Sequence, residues 1–155
     1  MEIRKNTSYC GLWCNDCIPS DEELFQLAKA LDQKVEDIAF EDYAKYKESK
    51  VPEFKYYKEF KAFLTAMEKI HCHNKCYDGP VSVAGCASNC KIRMCAIEKE
   101  LEGCWQCVDF RRCPEIAGMQ QMHPDIVHNL EVIKDKGIEE WKEKRGRHYN
   151  FKNIG

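Results

Sequence analysis

A chain of 155 residues with 44% hydrophobic and 32% charged side chains suits a single globular domain and carries no compositional sign of a disordered tail. Its formal net charge of −2 gives no global attraction to nucleic acid or to acidic lipid surfaces. No stretch approaches the roughly 20 apolar residues of a membrane span, and Met1 to Ser8 holds Arg4 and Lys5 but no apolar run, so the expectation is a cytoplasmic protein with neither a membrane segment nor a secretory leader.

In chain order, the first distinctive stretch is the triplet Cys10, Cys14 and Cys17, spaced C-x3-C-x2-C. Ser20 followed by Glu23 reads as a capping box that opens a helix over 21–31 bearing Leu24, Leu27, Ala28 and Leu31. Two short helices are expected over 35–39 and 41–48, with Ile38, Phe40, Tyr43 and Tyr46 as apolar anchors. From 20 to 48 nine acids stand against four bases, the pattern of a solvated helix face. Pro52 suits the first turn of a longer helix, and Phe54, Tyr57, Phe60, Phe63, Leu64, Met67 and Ile70 recur at helical spacing up to His71. That stripe is expected to be the main packing element.

Gly79, Pro80, Gly85 and Gly103 punctuate residues 72–114, which predicts loops and metal knuckles around one short helix near 92–101, with metal standing in for an apolar core. Beyond it, Ile126, Val127, Leu130 and Ile133 mark an amphipathic helix over 124–135 that stops near Gly137, and Ile138 and Trp141 mark a last helix. Lys144, Arg145, Arg147 and Lys152, with Tyr149 and Phe151 between them, read as a loose basic C-terminal tail. No stretch carries a convincing strand pattern. The expected fold is all-α: one small domain over 1–155, helical over 20–71 and 123–146, with irregular cysteine-rich loops over 10–17 and 72–114.

Eleven cysteines carry the chemistry. In a reducing compartment they are available to metals as thiolates and seldom held in stable disulfides. Two cysteines separated by two to four residues can turn both sulfurs toward one tetrahedral ion. Cys14/Cys17, Cys72/Cys76, Cys86/Cys90 and Cys104/Cys107 are such pairs, with Cys10, Cys95 and Cys113 close by, and together they predict one or two bound zinc ions. Cys90, Cys95, Cys104, Cys107 and Cys113 are expected to supply most of one site. Cys10, Cys14 and Cys17 are expected to recruit a distant sulfur to another. His73, between Cys72 and Cys76, is an additional candidate ligand, whereas His71, His123, His128 and His148 read as exposed or capping residues. An iron–sulfur cluster is the alternative, since cysteine tetrads also hold such clusters and Cys113-Pro114 matches the end of ferredoxin motifs. The triplet's spacing also matches that of radical S-adenosylmethionine enzymes, but the strand-and-helix barrel those enzymes build around their cluster has no counterpart in this pattern.

The run from Tyr9 to Cys17, the segment Cys90-Lys91-Ile92-Arg93-Met94-Cys95-Ala96, and Cys104-Trp105-Gln106-Cys107 with Phe110 and Cys113 resemble the domain of unknown function 3795 family of cysteine-rich proteins. Asn129-Leu130, Ile133 and Gly137-Ile138-Glu139-Glu140-Trp141 resemble that family's closing helix. The resemblance implies a zinc-binding domain and brings no activity or substrate with it. Cys72/Cys76 and Cys86/Cys90 are each one residue wider than the family's C-x2-C pairs.

The function expected is a structural zinc module that presents a surface to a protein partner, because a closed four-sulfur site leaves no coordination position open for chemistry. An iron–sulfur or thiolate redox protein is one alternative, and a module that binds nucleic acid through its basic tail is another. A phosphate-cradling glycine loop, a nucleophile elbow and an H-E-x-x-H arrangement are all absent. Asp16 and Asp109, each beside a cysteine pair, read as loop carboxylates.

Overall fold

The computed structural model describes residues 2–79 and 89–151. Cys86, Pro80, Gly85 and Lys152 lie outside the described residues. Among the described residues the α-helices are α1 (Glu2–Lys5), α2 (Glu22–Asp37), α3 (Phe40–Lys47), α4 (Tyr57–Ile70), α5 (Lys91–Glu98), α6 (Pro114–Met119), α7 (Ile126–Lys136) and α8 (Ile138–Lys144). The only pairing of extended backbone among them is a single antiparallel bridge between Thr7 and Trp13, so the fold is all-α. No helix among the described residues is long and apolar enough to cross a membrane. The chain divides into two compact units, one formed by Met1–Ser20 with Cys72–Gly155 and the other by the insertion Asp21–His71.

In the insertion, α2 begins one residue later than the capping-box reading placed it. The Asp21 carboxylate accepts the Leu24 amide at 3.1 Å, while Ser20 closes a 3-10 turn, Ile18–Ser20. No glycine or proline interrupts the sequence after Leu31, and Val35 is buried on the same face as Phe25 and Ala28. The helix therefore continues to Asp37 and absorbs the separate short helix expected over 35–39. Ala39 ends it in the left-handed region, φ 50° and ψ 45°, with its amide on the Glu36 carbonyl at 3.0 Å.

Across the insertion, Phe40 packs against Phe54 and Tyr43 at 5.6 Å and Tyr57 at 5.9 Å between ring centroids. The Lys61 ammonium on α4 joins Asp32 and Glu36 of α2 at 2.6 and 2.7 Å, and His71 stacks on Phe25 at 4.4 Å, so α2 and α4 run antiparallel. Of α4 only Leu64 is fully buried. The aromatic stripe is thus not the main packing element, because a three-helix insertion has too few neighbours to enclose it.

The principal core lies in the other unit. Trp141, Ile126 and Leu130 are completely buried there, surrounded by Trp13, Ile92, Trp105, Phe110, Ile116 and Ile133. Three of these, Ile92, Trp105 and Phe110, come from the cysteine-rich stretch, so that stretch supplies core as well as sulfur. Proline at its first position sets α6, a helix the sequence reading did not anticipate, and Ile116 anchors it. Gly137 ends α7 at φ 86° with its amide on the Ile133 carbonyl at 2.9 Å, and α8 folds back along α7.

Left-handed backbone at an alanine costs about 1–2 kcal/mol relative to glycine. Ala39→Gly is therefore expected to stabilise the protein by ~0.5–1 kcal/mol once the larger unfolded-state entropy of glycine is subtracted, as measured by urea denaturation.

Candidate metal centre

The two C-x2-C sequences fold into matching turns. Cys14–Asp16 forms a single 3-10 turn in which the Cys17 amide donates to the Cys14 carbonyl at 3.1 Å, and Cys104–Gln106 repeats it with the Cys107 amide on the Cys104 carbonyl at 3.0 Å. Cys17 and Cys107 then leave in the same extended conformation, at φ −78°, ψ 127° and φ −73°, ψ 132°. This is the geometry that brings both sulfurs of such a pair to one side. Each turn is anchored through its first amide, Cys14 to the Asn6 carbonyl and Cys104 to the Tyr9 carbonyl, both at 2.7 Å.

Residues 72–76 return alongside the first turn. The Cys72 amide donates to the Pro19 carbonyl at 2.7 Å, and the Lys75 ammonium reaches the Asn15 side chain at 2.8 Å. The Cys76 backbone lies near enough to the Cys14 sulfur to favour its ionised form, and both cysteines are buried in one cluster with Tyr9 and Ala96. Cys17 lies within electrostatic reach of Cys72. The 3-10 turn Cys76–Asp78 is held from its other side, where Tyr77 stacks on Tyr9 at 4.9 Å and the Arg4 guanidinium lies 3.6 Å from the centre of the Tyr77 ring. The Cys14–Cys17 turn and the 72–76 segment are thus brought side by side from the two ends of the insertion, with the Cys72 thiol donating to the Asn74 carbonyl at 2.9 Å.

A second group surrounds Cys104, whose sulfur senses Cys113, Cys107, Cys95 and Cys90. Cys90 and Cys113 stand just before α5 and α6, and Cys95 is exposed on α5. Cys10 stands apart from Cys14 and Cys17. Gly11, at φ 79°, turns the chain so closely over α7 that an added Cβ would meet Leu130 at 2.8 Å. The turn delivers Cys10 into the principal core, where its sulfur contacts the Ser8 hydroxyl at 3.0 Å.

Burial sets the electrostatics of these thiols. It pushes Cys14 up to about 11 and Cys104 up to about 12, and raises Cys10 and Cys17 as well. Without a nearby cation these groups are neutral thiols, and a divalent ion reverses that preference by binding the thiolate. No disulfide joins the described cysteines. Among the described residues no three Cys, His, Asp or Glu side chains converge closely enough to enclose an ion. The fit to a thiophilic metal rests on the donor set itself, which comprises paired sulfurs on matching turns with the Cys76 backbone already near one of them. His73 is exposed. His123 is paired through its ring with the His148 carbonyl, and burial holds it below the usual histidine range.

The basic tail is not loose. Arg145 makes a two-pronged ion pair with Asp16, inside the first cysteine turn, at 2.6 and 3.0 Å. Buried Asn129 accepts the Gly146 amide at 2.8 Å, and Asp125 accepts the Arg147 amide at 2.7 Å. Tyr149 is buried, and its hydroxyl lies 3.3 Å from the Cys17 sulfur while accepting the Ile18 amide at 3.2 Å. Lys144 pairs with Glu140 at 2.5 Å. Spacing alone gave no sign that Asp16 and Arg145, 129 residues apart, would meet; the carboxylate between two cysteines was the one local clue.

The model of the family described as protein of unknown function (DUF3795) matches residues 6–118, and the chain belongs to that family. The matched span contains every cysteine and stops before α7, α8 and the tail, so the resemblance read at Asn129 to Trp141 lies beyond it. No curated protein and no solved structure matches the chain.

Asp16 and Arg145 are each about 28% exposed, which limits but does not abolish solvent screening. A double-mutant cycle with Asp16→Asn and Arg145→Gln is expected to give a coupling of about 1 kcal/mol that shrinks as salt is raised, read from thermal or urea denaturation.

Proposed function

We propose that this protein is a structural zinc module. Cys14, Cys17, Cys72 and Cys76 hold one ion, four of the five sulfurs Cys90, Cys95, Cys104, Cys107 and Cys113 hold a second, and the assembled surface serves a protein partner. The observation that supports this reading is the return of the Cys72–Cys76 segment alongside the Cys14–Cys17 turn, which brings two cysteine pairs side by side from opposite ends of an insertion. The matching 3-10 turns at Cys14 and Cys104 support two centres of the same kind. Bound in such sites, zinc supplies cross-links between chain segments, and a closed set of four thiolates favours a scaffold over a catalyst. The protein's own residues form and hold the turns: the Cys76 backbone supports the Cys14 sulfur, Tyr149 closes over Cys17, and Arg145 fixes Asp16 between them. A nucleic-acid role has less support, since Lys144, Arg145 and Arg147 face carboxylates of the same chain and Tyr149 is buried.

Elemental analysis of protein purified without oxygen is expected to find two zinc ions per chain. Cys14→Ser and Cys107→Ser are each expected to lose one, and the double variant both; a double variant that still held one ion would collapse the two centres into a single shared site. Chelation under reducing conditions is expected to lower helicity and thermal stability, and unchanged stability would remove the structural role. Visible absorption with bound iron in place of zinc would replace this reading with the iron–sulfur alternative.

A further inference from the structure

Helix α2 turns its leucines away from its own partner. Phe25, Ala28 and Val35 are buried, and Asp32 meets Lys61, whereas Leu24, Leu27 and Leu31 are exposed, Leu27 by 63%. The exposed leucines recur at i, i+3 and i+7, the seam of a heptad pattern, and Lys34 and Ile38 continue the same line. Phe63 on α4 is 65% exposed, and by the helical period it falls on the same side of the antiparallel α2–α4 pair. An apolar strip of this length on a highly charged surface marks an interface.

Charge identifies what covers it. Glu23 stands at the N-terminal end of the leucine strip and Lys34 at its C-terminal end; both are exposed, and neither belongs to an ion pair among the described residues. A second α2 laid antiparallel over the first places each Leu27 against the other chain's Leu31. At both ends it sets the Lys34 stem over the opposing Leu24, with its ammonium at the opposing Glu23. The strip is therefore complementary to itself, as a twofold interface requires. We propose that the insertion Asp21–His71 is a dimerisation element, and that two copies of this protein associate through antiparallel α2 helices with Phe63 at the flank. The inference does not depend on bound metal.

Sedimentation analysis of the full chain in reducing buffer, with and without chelator, tests it. The expected species is a dimer in which Leu27→Glu abolishes association while helicity is retained. Glu23→Lys is expected to weaken the dimer on the order of tenfold, since it breaks two symmetric pairs, and adding Lys34→Glu to it is expected to restore association. The restoration separates a specific interface from loss of folding. A monomer throughout the concentration range, a dimer indifferent to both Leu27→Glu and Glu23→Lys, or a monomer that instead binds phosphatidylcholine vesicles would each overturn the proposal.

Discussion

The hydrogen bond from the Cys72 amide to the Pro19 carbonyl closes the chain on itself at the base of the insertion, and the candidate metal chemistry rests on that closure. Bringing the ends of a segment of this length together has an entropic cost that grows slowly with length, and local contacts must offset it. Lys75 on Asn15, the Cys76 backbone beside Cys14, and the Tyr77 ring between Tyr9 and Arg4 are those contacts. Without them the cysteines at 14–17 and 72–76 would remain two unrelated pairs. The helices of the insertion contribute no cysteine sulfur of their own.

Desolvation shapes the rest. Packing Cys10 and Cys104 against the cluster of Trp13, Trp105 and Phe110 favours their neutral thiols and pushes their ionisation well above the ordinary range. A fold that wanted only small apolar groups at these positions would have no use for the Cys76 backbone beside the Cys14 sulfur or a hydroxyl beside that of Cys17. Such neighbours favour the charged form. The arrangement combines an apolar surround with selected polar contacts, which suits sulfurs whose charge is to be shared with a cation.

Local signals in the sequence were the reliable ones. Gly137 stops α7 where a glycine following a periodic apolar run predicts, the Cys14/Cys17 and Cys104/Cys107 pairs each fall on a 3-10 turn, and the all-α class follows from the missing period-two patterns. Long-range pairings were not legible. The stripe of Leu24, Leu27, Ala28 and Leu31 is helical by period, yet Phe25, Ala28 and Val35 are the residues α2 buries, because the apolar arc of α2 is wider than its neighbours cover. Cys10 belongs by spacing with Cys14 and Cys17, but the left-handed turn at Gly11 sends it elsewhere. The tail looked solvated because its carboxylate partners, Asp16 and Asp125, lie far from it in sequence.

The pairing of Arg145 and Tyr149 with the first cysteine turn also fixes an order of assembly. A chain emerges from the ribosome N-terminus first, so all eleven cysteines are synthesised before either residue that fastens the Cys14–Cys17 turn. The cysteines are all present before that fastening exists. During that interval the turn is held by its own backbone, by Asn6 and by Lys75 on Asn15, and it presents an edge that Arg145 and Tyr149 later cover.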